Sequence, residues 1–519
     1  VTVKLYDTTL RDGAQREGLS FSVDDKLRIT KRLDDFGVHY IEGGWPGANP
    51  KDNDYFAKAR DLNLKNAIVV AFGSTRHPTH KADEDDNLKN LVESGAKAVC
   101  VVGKTWGFHV EHALKTTPEN NLAMIEDSVA YLKNKGLTVF FDAEHFFDGY
   151  KHNPEYALAS LRAAEKGGAD CLVLCDTNGG ALPSEVGEIV GAVAKGFKTP
   201  VGIHAHNDSE CGVANSIAAV EAGATQVQGT INGYGERSGN ANMCSIIPAL
   251  ALKMGIPCIS SGGLKKLTDL SRFVSEVANE SPNMHQPYVG ESAFAHKAGL
   301  HVSALDRHNA YEHIDPDLVG NSRRVLISEL SGKSTILLKA EEFGIDLSKD
   351  ASKVKEILSK VKELEHIGYH FEAADASFEM ILRKATGAHS AFFELESFRV
   401  IMDRVPGGTV TTEATIKVKC KGKRYVETAE GNGPVNALDT ALRMAISKAY
   451  PEISSIELTD YKVRVLDEKK GTGAVVRVLI DSSDGENVWS TVGVSENIIE
   501  ASWQALADSI DYGLTHAKK

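Results

Sequence analysis

Val201-Gly-Ile-His-Ala-His-Asn-Asp208 is a short apolar run that ends in a polar cluster, with His204 and His206 two positions apart. On a strand, residues i and i+2 face the same side, so both imidazoles can point at one ion. Leu5-Tyr-Asp-Thr-Thr-Leu-Arg-Asp-Gly-Ala-Gln15 ends another apolar run with Arg11 and Asp12. Two imidazoles and a carboxylate make a mixed N/O set suited to a divalent cation, with positions left for substrate. An isolated His-x-His is more often a surface or core feature. A second strand end bearing Arg-Asp moves the reading to a metal-dependent enzyme.

The same pattern, a short apolar run and then a helical stretch, repeats outward from this segment. Apolar runs occupy 3–6, 39–42, 67–72, 98–102, 138–142, 171–175, 201–203 and 226–231, and helical periodicity covers 23–36, 120–135, 155–166 and 184–195 between them. Eight βα units in about 250 residues are what a TIM barrel requires. An open doubly wound sheet needs no eighth unit. Polar residues gather just after the runs: Arg11, Asp12, Glu42, Lys104, Glu144, Asp176, Thr177, 204–208 and 232–240. A barrel keeps its site at that end.

Beyond the barrel, taken as 1–258, residues 259–388 read as a mainly helical accessory or linker region, with helical patterns at 264–278 and 351–366. Residues 389–519 read as an α+β domain built from a weak repeat. Strands at 392–402, 412–419 and 423–429 precede a helix at 435–450, and strands at 453–465, 474–480 and 488–494 precede a helix at 496–512.

The 519 residues carry a net charge of −13, which supplies no basic excess for nucleic acid or an anionic membrane. Seven scattered cysteines without Cys-x-x-Cys fit reduced thiols and a cytoplasmic location. No apolar stretch reaches 18 residues, so neither a membrane span nor a signal peptide is expected. Gly233-x-Gly235-x-x-x-Gly239 has the wrong spacing for a dinucleotide fingerprint, and Ser331-Gly-Lys-Ser-Thr335 lacks the upstream glycine of a P-loop, Ile327 standing there.

Residues 5–15 resemble the Asp-x-Thr-Leu-Arg-Asp-Gly-x-Gln signature of the α-isopropylmalate, homocitrate and citramalate synthases. His204-Ala-His-Asn-Asp208 and Asn232-Gly-Tyr-Gly-Glu-Arg-Ser-Gly-Asn240 resemble the second and third signatures of that family. Phe294-Ala-His-Lys-Ala-Gly-Leu-His301 resembles its accessory motif, and Gly431-Asn-Gly-Pro-Val-Asn-Ala437 a turn of its regulatory domain. Residues 41–52, 142–150 and 175–180 are similar to the citramalate branch.

The resemblance implies condensation of acetyl-CoA with pyruvate to (R)-citramalate, on the pyruvate route to isoleucine. It implies Asp12, His204, His206 and Asn240 around Mg²⁺, Mn²⁺ or Zn²⁺, and Arg11, Gln15, Glu42 and Thr177 around the substrate. Arg11 also stabilises the alkoxide. Glu144 is the first choice of base, with His301 and Tyr311 as alternatives for proton transfer or water activation. Ser303 stands where many relatives carry a carboxylate, so no role passes to it. The resemblance further implies a homodimer and isoleucine as effector of the C-terminal domain. Trp45, Phe146 and Phe147 are bulky strand-end groups expected to shorten the acceptor pocket. The alternatives are a 2-isopropylmalate synthase, an HMG-CoA lyase-like enzyme, which lacks the tandem tail, and an inactive effector-binding protein.

Overall fold

Residues alternate between two faces along eight strands: β1 (Lys4–Asp7), β2 (Tyr40–Gly44), β3 (Ile68–Ser74), β4 (Ala98–Lys104), β5 (Thr138–Glu144), β6 (Cys171–Asp176), β7 (Val201–Ala205) and β8 (Gln226–Gly229). The computed structural model describes residues 2–297, 311–328, 331–404, 406–408 and 410–517. All eight strands pair in parallel, and β1 closes the barrel against β8, Lys4 opposite Gln226 and Asp7 opposite Gly229.

Inside, Tyr6, Val70, Phe72, Cys100, Phe140, Val173 and Cys175 form one packed cluster. Their neighbours in sequence, among them Leu5, Ala71, Val101, Phe141, Leu172 and Leu174, point outward and pack in the larger cluster with the helices. The same parity turns Glu42, Lys104, Asp142, Glu144, His204 and Gln228 inward at the carboxyl ends of their strands. The eight-stranded expectation is met to within a residue or two at most strand ends. Thr230 and Ile231, read as strand, instead begin the turn that follows β8.

Local signals set the helix boundaries. In α1 (Val23–Phe36) the Ser22 hydroxyl accepts from the Asp25 N–H, while the Asp25 carboxylate accepts from the Ser22 N–H. Gly37, at φ +107°, ends the helix in the left-handed region. Helix α2 (Pro50–Ala59) starts on Asn49 with proline in its first turn, and α3 (Asp86–Glu93) starts on Asp85.

The chain divides into two compact units. The first is Val1–Phe294 with Ile314–Ser322, and the second is Ala295–His313 with Arg323–Lys519. In the second, a two-stranded pairing of β9 (Ala295–His296) and β10 (Arg324–Val325) precedes helices Lys333–Glu342, Ala351–His366 and Asp375–Thr386. Two antiparallel sheets follow. Strands β11 (Phe393–Arg404), β12 (Val410–Cys420) and β13 (Lys423–Gly431) are followed by helix Pro434–Ser447. Strands β14 (Glu457–Val465), β15 (Val476–Ser483) and β16 (Val488–Ser495) are followed by helix Ile498–His516. The repeat therefore stands. Residues 453–455, expected to be strand, sit in a 3₁₀ turn because Pro451 presets helical φ at its start.

One buried ion pair ties β2 to its flanking helices. Lys26 Nζ lies 2.5 Å from Asp52 Oδ1 and donates to the Gly43 carbonyl at 2.9 Å. Removing one partner of such a pair strands the other charge. Lys26→Met is expected to destabilise the barrel unit by about 3–5 kcal/mol, read as a lower melting transition in calorimetry of the intact chain. An unchanged transition would show that Asp52 finds other compensation.

Candidate active site

Four side chains from three places in the barrel meet at its carboxyl end. His204, on β7, has Nε2 3.2 Å from Asp12 Oδ2 and 3.2 Å from His206 Nε2. Asn240 Nδ2 donates to Asp12 Oδ2 at 2.9 Å, while its Oδ1 is buried without a hydrogen-bond partner among the described residues. The loop after β8 delivers Asn240 by pairing back on β7: Asn207 N–H donates to Gly239 O at 2.8 Å, and Ala241 N–H to Ala205 O at 2.9 Å. Glycine is required twice here. A Cβ on Gly235 would lie 2.0 Å from Asn240 Oδ1, and Gly239 holds φ +96° with the Gly233 carbonyl 2.0 Å from where its Cβ would stand.

This donor set fits a divalent cation. Asp12, His204 and His206 each offer a ligand atom within 4.8 Å of the others, and all three are buried. A buried amide oxygen without a partner normally carries a desolvation penalty, which a cation would relieve. Burial pushes the Asp12 carboxyl up, but Arg11 and His204 outweigh it and hold Asp12 ionised, well below the usual range. Burial pushes His204 down, and Asp12 more than offsets that, so its pKa is raised. His206 is pushed down to about 4 by burial and by the neighbouring His204.

A relay beneath the cluster orients His204. Asp142 accepts from Gln228 Nε2 at 3.0 Å, which leaves Gln228 Oε1 facing His204 Nδ1 at 2.8 Å. Gln228 Oε1 can only accept, so Nδ1 carries a proton and Nε2 is the atom presented to the cluster. Burial raises Asp142 to about 6.

Arg11 stands between two carboxylates. Its Nε donates to Glu42 Oε2 at 2.6 Å, Nη1 lies 3.1 Å from Asp12 Oδ1, and the guanidinium sits 3.8 Å over the Phe72 ring. Burial opposes its charge, but Asp12 and Glu42 overcome that and keep it protonated. Glu42 is fully buried and also accepts from Tyr6 Oη and Thr8 Oγ1, both at 2.6 Å. Glu42, expected at the substrate, does not line the cavity: its buried carboxylate accepts from Tyr6, Thr8 and Arg11 and holds Arg11 in place.

The cluster opens on a cavity of about 590 Å³ lined also by Gln15, Trp45, Phe72, Arg76, Lys104, Glu144, Thr177 and Arg237. Glu144 ends β5 and is ion-paired with Lys104 of β4. Thr177 Oγ1 accepts from the His145 N–H at 2.8 Å, so its own proton is free for a ligand. His145 adopts a left-handed φ of +53° to make that bond.

Arg11, Asp12, Gln15, Glu144, Thr177, His204 and His206 thus line one cavity, with Asn240 bonded to Asp12. Tyr311 is half-exposed and belongs to the second unit; His301 lies outside the described residues. Phe146 and Phe147 do not line the cavity. Both are buried in the core beneath the helices, because the helix Phe146–His152 turns them inward, which corrects the expectation for these two rings. Gln228, Asp142 and Arg76 were missed. Strand parity was the available signal for the first two, since Asp142 precedes Glu144 by two residues and β8 places Gln228 on its inner face.

Three family models match the chain: HMGL-like over residues 2–274, homocitrate synthase post-HMGL domain-like over 288–368, and LeuA allosteric (dimerisation) domain over 372–514. The chain is 57% identical to the (R)-citramalate synthase of Geobacter sulfurreducens, covering 99% of this chain and 97% of that protein. It is 55% identical to the (R)-citramalate synthase of Aquifex aeolicus, covering 99% and 98%. Against the 2-isopropylmalate synthase of Methanocaldococcus jannaschii the identity is 31%, covering 100% and 96%.

If Gln228 fixes the ligand face of His204, Gln228→Leu should weaken divalent-ion binding by about 10–100-fold, measured by titrating the intact protein with Mn²⁺. Wild-type affinity in that variant would remove Gln228 from the site.

Proposed function

Because the chain belongs to the HMGL-like family, among its (R)-citramalate synthases, we propose that it condenses acetyl-CoA with pyruvate to give (R)-citramalate and free CoA. The observation that carries the choice of acceptor is the 57% identity over nearly the whole chain to an enzyme of that name, against 31% to a 2-isopropylmalate synthase.

Asp12, His204, His206 and Asn240 would hold Mg²⁺, Mn²⁺ or Zn²⁺; when bound, such an ion supplies Lewis-acid charge for the oxygens of the keto acid. Thr177, its oxygen already bonded to the His145 N–H, donates its proton to the pyruvate carboxylate. Gln15 closes the substrate side at the cavity rim. Glu144 is the base that takes a proton from the acetyl methyl. The electron pair of that C–H bond forms the new C–C bond to the ketone carbon, and the ketone oxygen becomes an alkoxide. Arg11, protonated and held by Glu42, faces that developing charge and stabilises it. Protonation of the alkoxide and attack of water on the thioester then release CoA. His301 and Tyr311 are the alternatives to Glu144 for proton transfer or water activation.

The test is release of CoA with pyruvate, 2-oxobutanoate and 2-oxoisovalerate side by side. Pyruvate is expected to give the highest kcat/KM, and His206→Ala to lower it by about a hundredfold or more through loss of the ion. Equal or better turnover of 2-oxoisovalerate would make the protein a 2-isopropylmalate synthase.

We further propose a homodimeric, cytoplasmic enzyme whose C-terminal domain senses isoleucine, the end product of the route that citramalate enters. Its seven cysteines are free thiols. Among the described residues no helix is long and apolar enough to cross a membrane. The support for a sensor is a cavity of about 840 Å³ between helix Pro434–Ser447 and the start of β14. Val435, Met444, Ile456 and Leu458 offer an apolar surface there, beside the charged Asp439 and Arg443. Binding of a small amino acid that favours one conformation shifts the affinity for substrate by about 5–150-fold. Light scattering should give the mass of two chains, and isoleucine should inhibit more strongly than leucine, with the inhibition lost in Ile456→Glu. A single-chain mass, or indifference to both amino acids, would refute the respective half of this reading.

A further inference from the structure

Trp45 follows β2 at the edge of the cavity and is held at both ends. Its backbone N–H donates to Asp52 Oδ2 at 3.0 Å, the same carboxylate that Lys26 clamps. Its indole Nε1–H donates to Asn87 Oδ1 at 2.9 Å, and Asn87 Nδ2 donates to the Ser74 carbonyl at 2.6 Å. An indole nitrogen only donates and a backbone carbonyl only accepts, so the Asn87 amide has one orientation and cannot flip. The indole meets the Phe72 ring edge-on, with centroids 5.3 Å apart, and Phe72 lies under the Arg11 guanidinium. Trp45, Asn87, Phe72, Ser74 and Arg11 all line the same cavity.

We propose that Trp45 is the wall that limits the side-chain length of the acceptor 2-oxo acid, and that Asn87 is the positioning residue that keeps this wall from swinging aside. The inference rests on the reading above, which places the acceptor beside Arg11. A wall discriminates against one extra methylene only if it does not move; a ring free to rotate about χ1 and χ2 would yield to the larger substrate. Here one hydrogen bond from α3 and one ring contact from β3 fix the indole, and a hydrogen bond to α2 fixes the backbone that carries it. Asn87 touches no reacting atom in this arrangement. It acts through Trp45.

The experiment compares kcat/KM for pyruvate and 2-oxobutanoate in the wild type, Asn87→Leu, Trp45→Phe and the double variant, with folding checked by circular dichroism. Asn87→Leu removes the acceptor of the indole N–H and should raise the 2-oxobutanoate to pyruvate ratio about tenfold, the scale set by one methylene. Trp45→Phe removes the N–H itself and should shift the ratio in the same direction. Because both changes break one unit, the double variant should shift it no further than the larger single change. The KM for acetyl-CoA should stay constant, which a general loosening of the fold would not allow. An unchanged ratio in either folded single variant, or additive shifts in the double, would overturn the proposal. If Asn87→Leu does not fold, Trp45→Phe alone decides it through the same ratio. Failure of the wild type to release CoA with any 2-oxo acid would instead refute the functional reading beneath it.

Discussion

Glu42, Arg11 and Asp12 form a chain of alternating charge across the carboxyl end of the barrel, His204 extends it, and the rest of the site hangs from it. Each link is short: 2.6 Å from Arg11 to Glu42, 3.1 Å from Arg11 to Asp12, and 3.2 Å from His204 to Asp12. A buried carboxylate alone would be protonated or would unfold its surroundings. Two of them share one guanidinium here, and Tyr6 and Thr8 donate two further hydrogen bonds to Glu42. The charge at the mouth of the cavity is therefore anchored by a buried carboxylate that does not line the cavity.

Much of this was legible in the chain because it is periodic or local. The parity of the strands turned His204 and His206 inward, and the Ser22 and Gly37 caps bounded α1. What escaped reading depends on depth and on long-range pairing. Strand parity puts Gln228 on the inner face of β8, but its partnership with His204 appears only when β7 and β8 pair. Glu42 sits at a strand end like the true lining residues, and only the stagger between strands drops it below them. Phe146 and Phe147 follow a strand end too, but the left-handed backbone at His145 redirects the chain, and the helix that follows turns their rings to the core.

Some of the unfavourable backbone lies in loops at the carboxyl end of the barrel. His145, Asn232 and Arg237 all hold positive φ without being glycine. Each is fixed by a specific bond: the His145 N–H to Thr177, the Asn232 amide to Ser271 and Ser275, and the Arg237 guanidinium to Asp208 and the Thr177 carbonyl. Strain of about 1–3 kcal/mol at each such position persists only where the surroundings over-determine it. Thr177 is reached from two of these three residues, its hydroxyl by His145 and its carbonyl by Arg237.

Closure of the barrel between β1 and β8 has a bearing on how the chain is made. Arg11 and Asp12 leave the ribosome before the rest of the site, yet the strand they follow gains its second neighbour only when Gln226–Gly229 has emerged. At about 5–20 residues per second that is a wait of roughly 10–45 s. Through that interval β1 has β2 as its sole lateral partner, and the buried carboxylates have neither His204 nor Asn240 near them. A nascent chain stalled anywhere before β8 presents an open sheet edge along β1, the kind of surface that chaperones and other nascent chains engage.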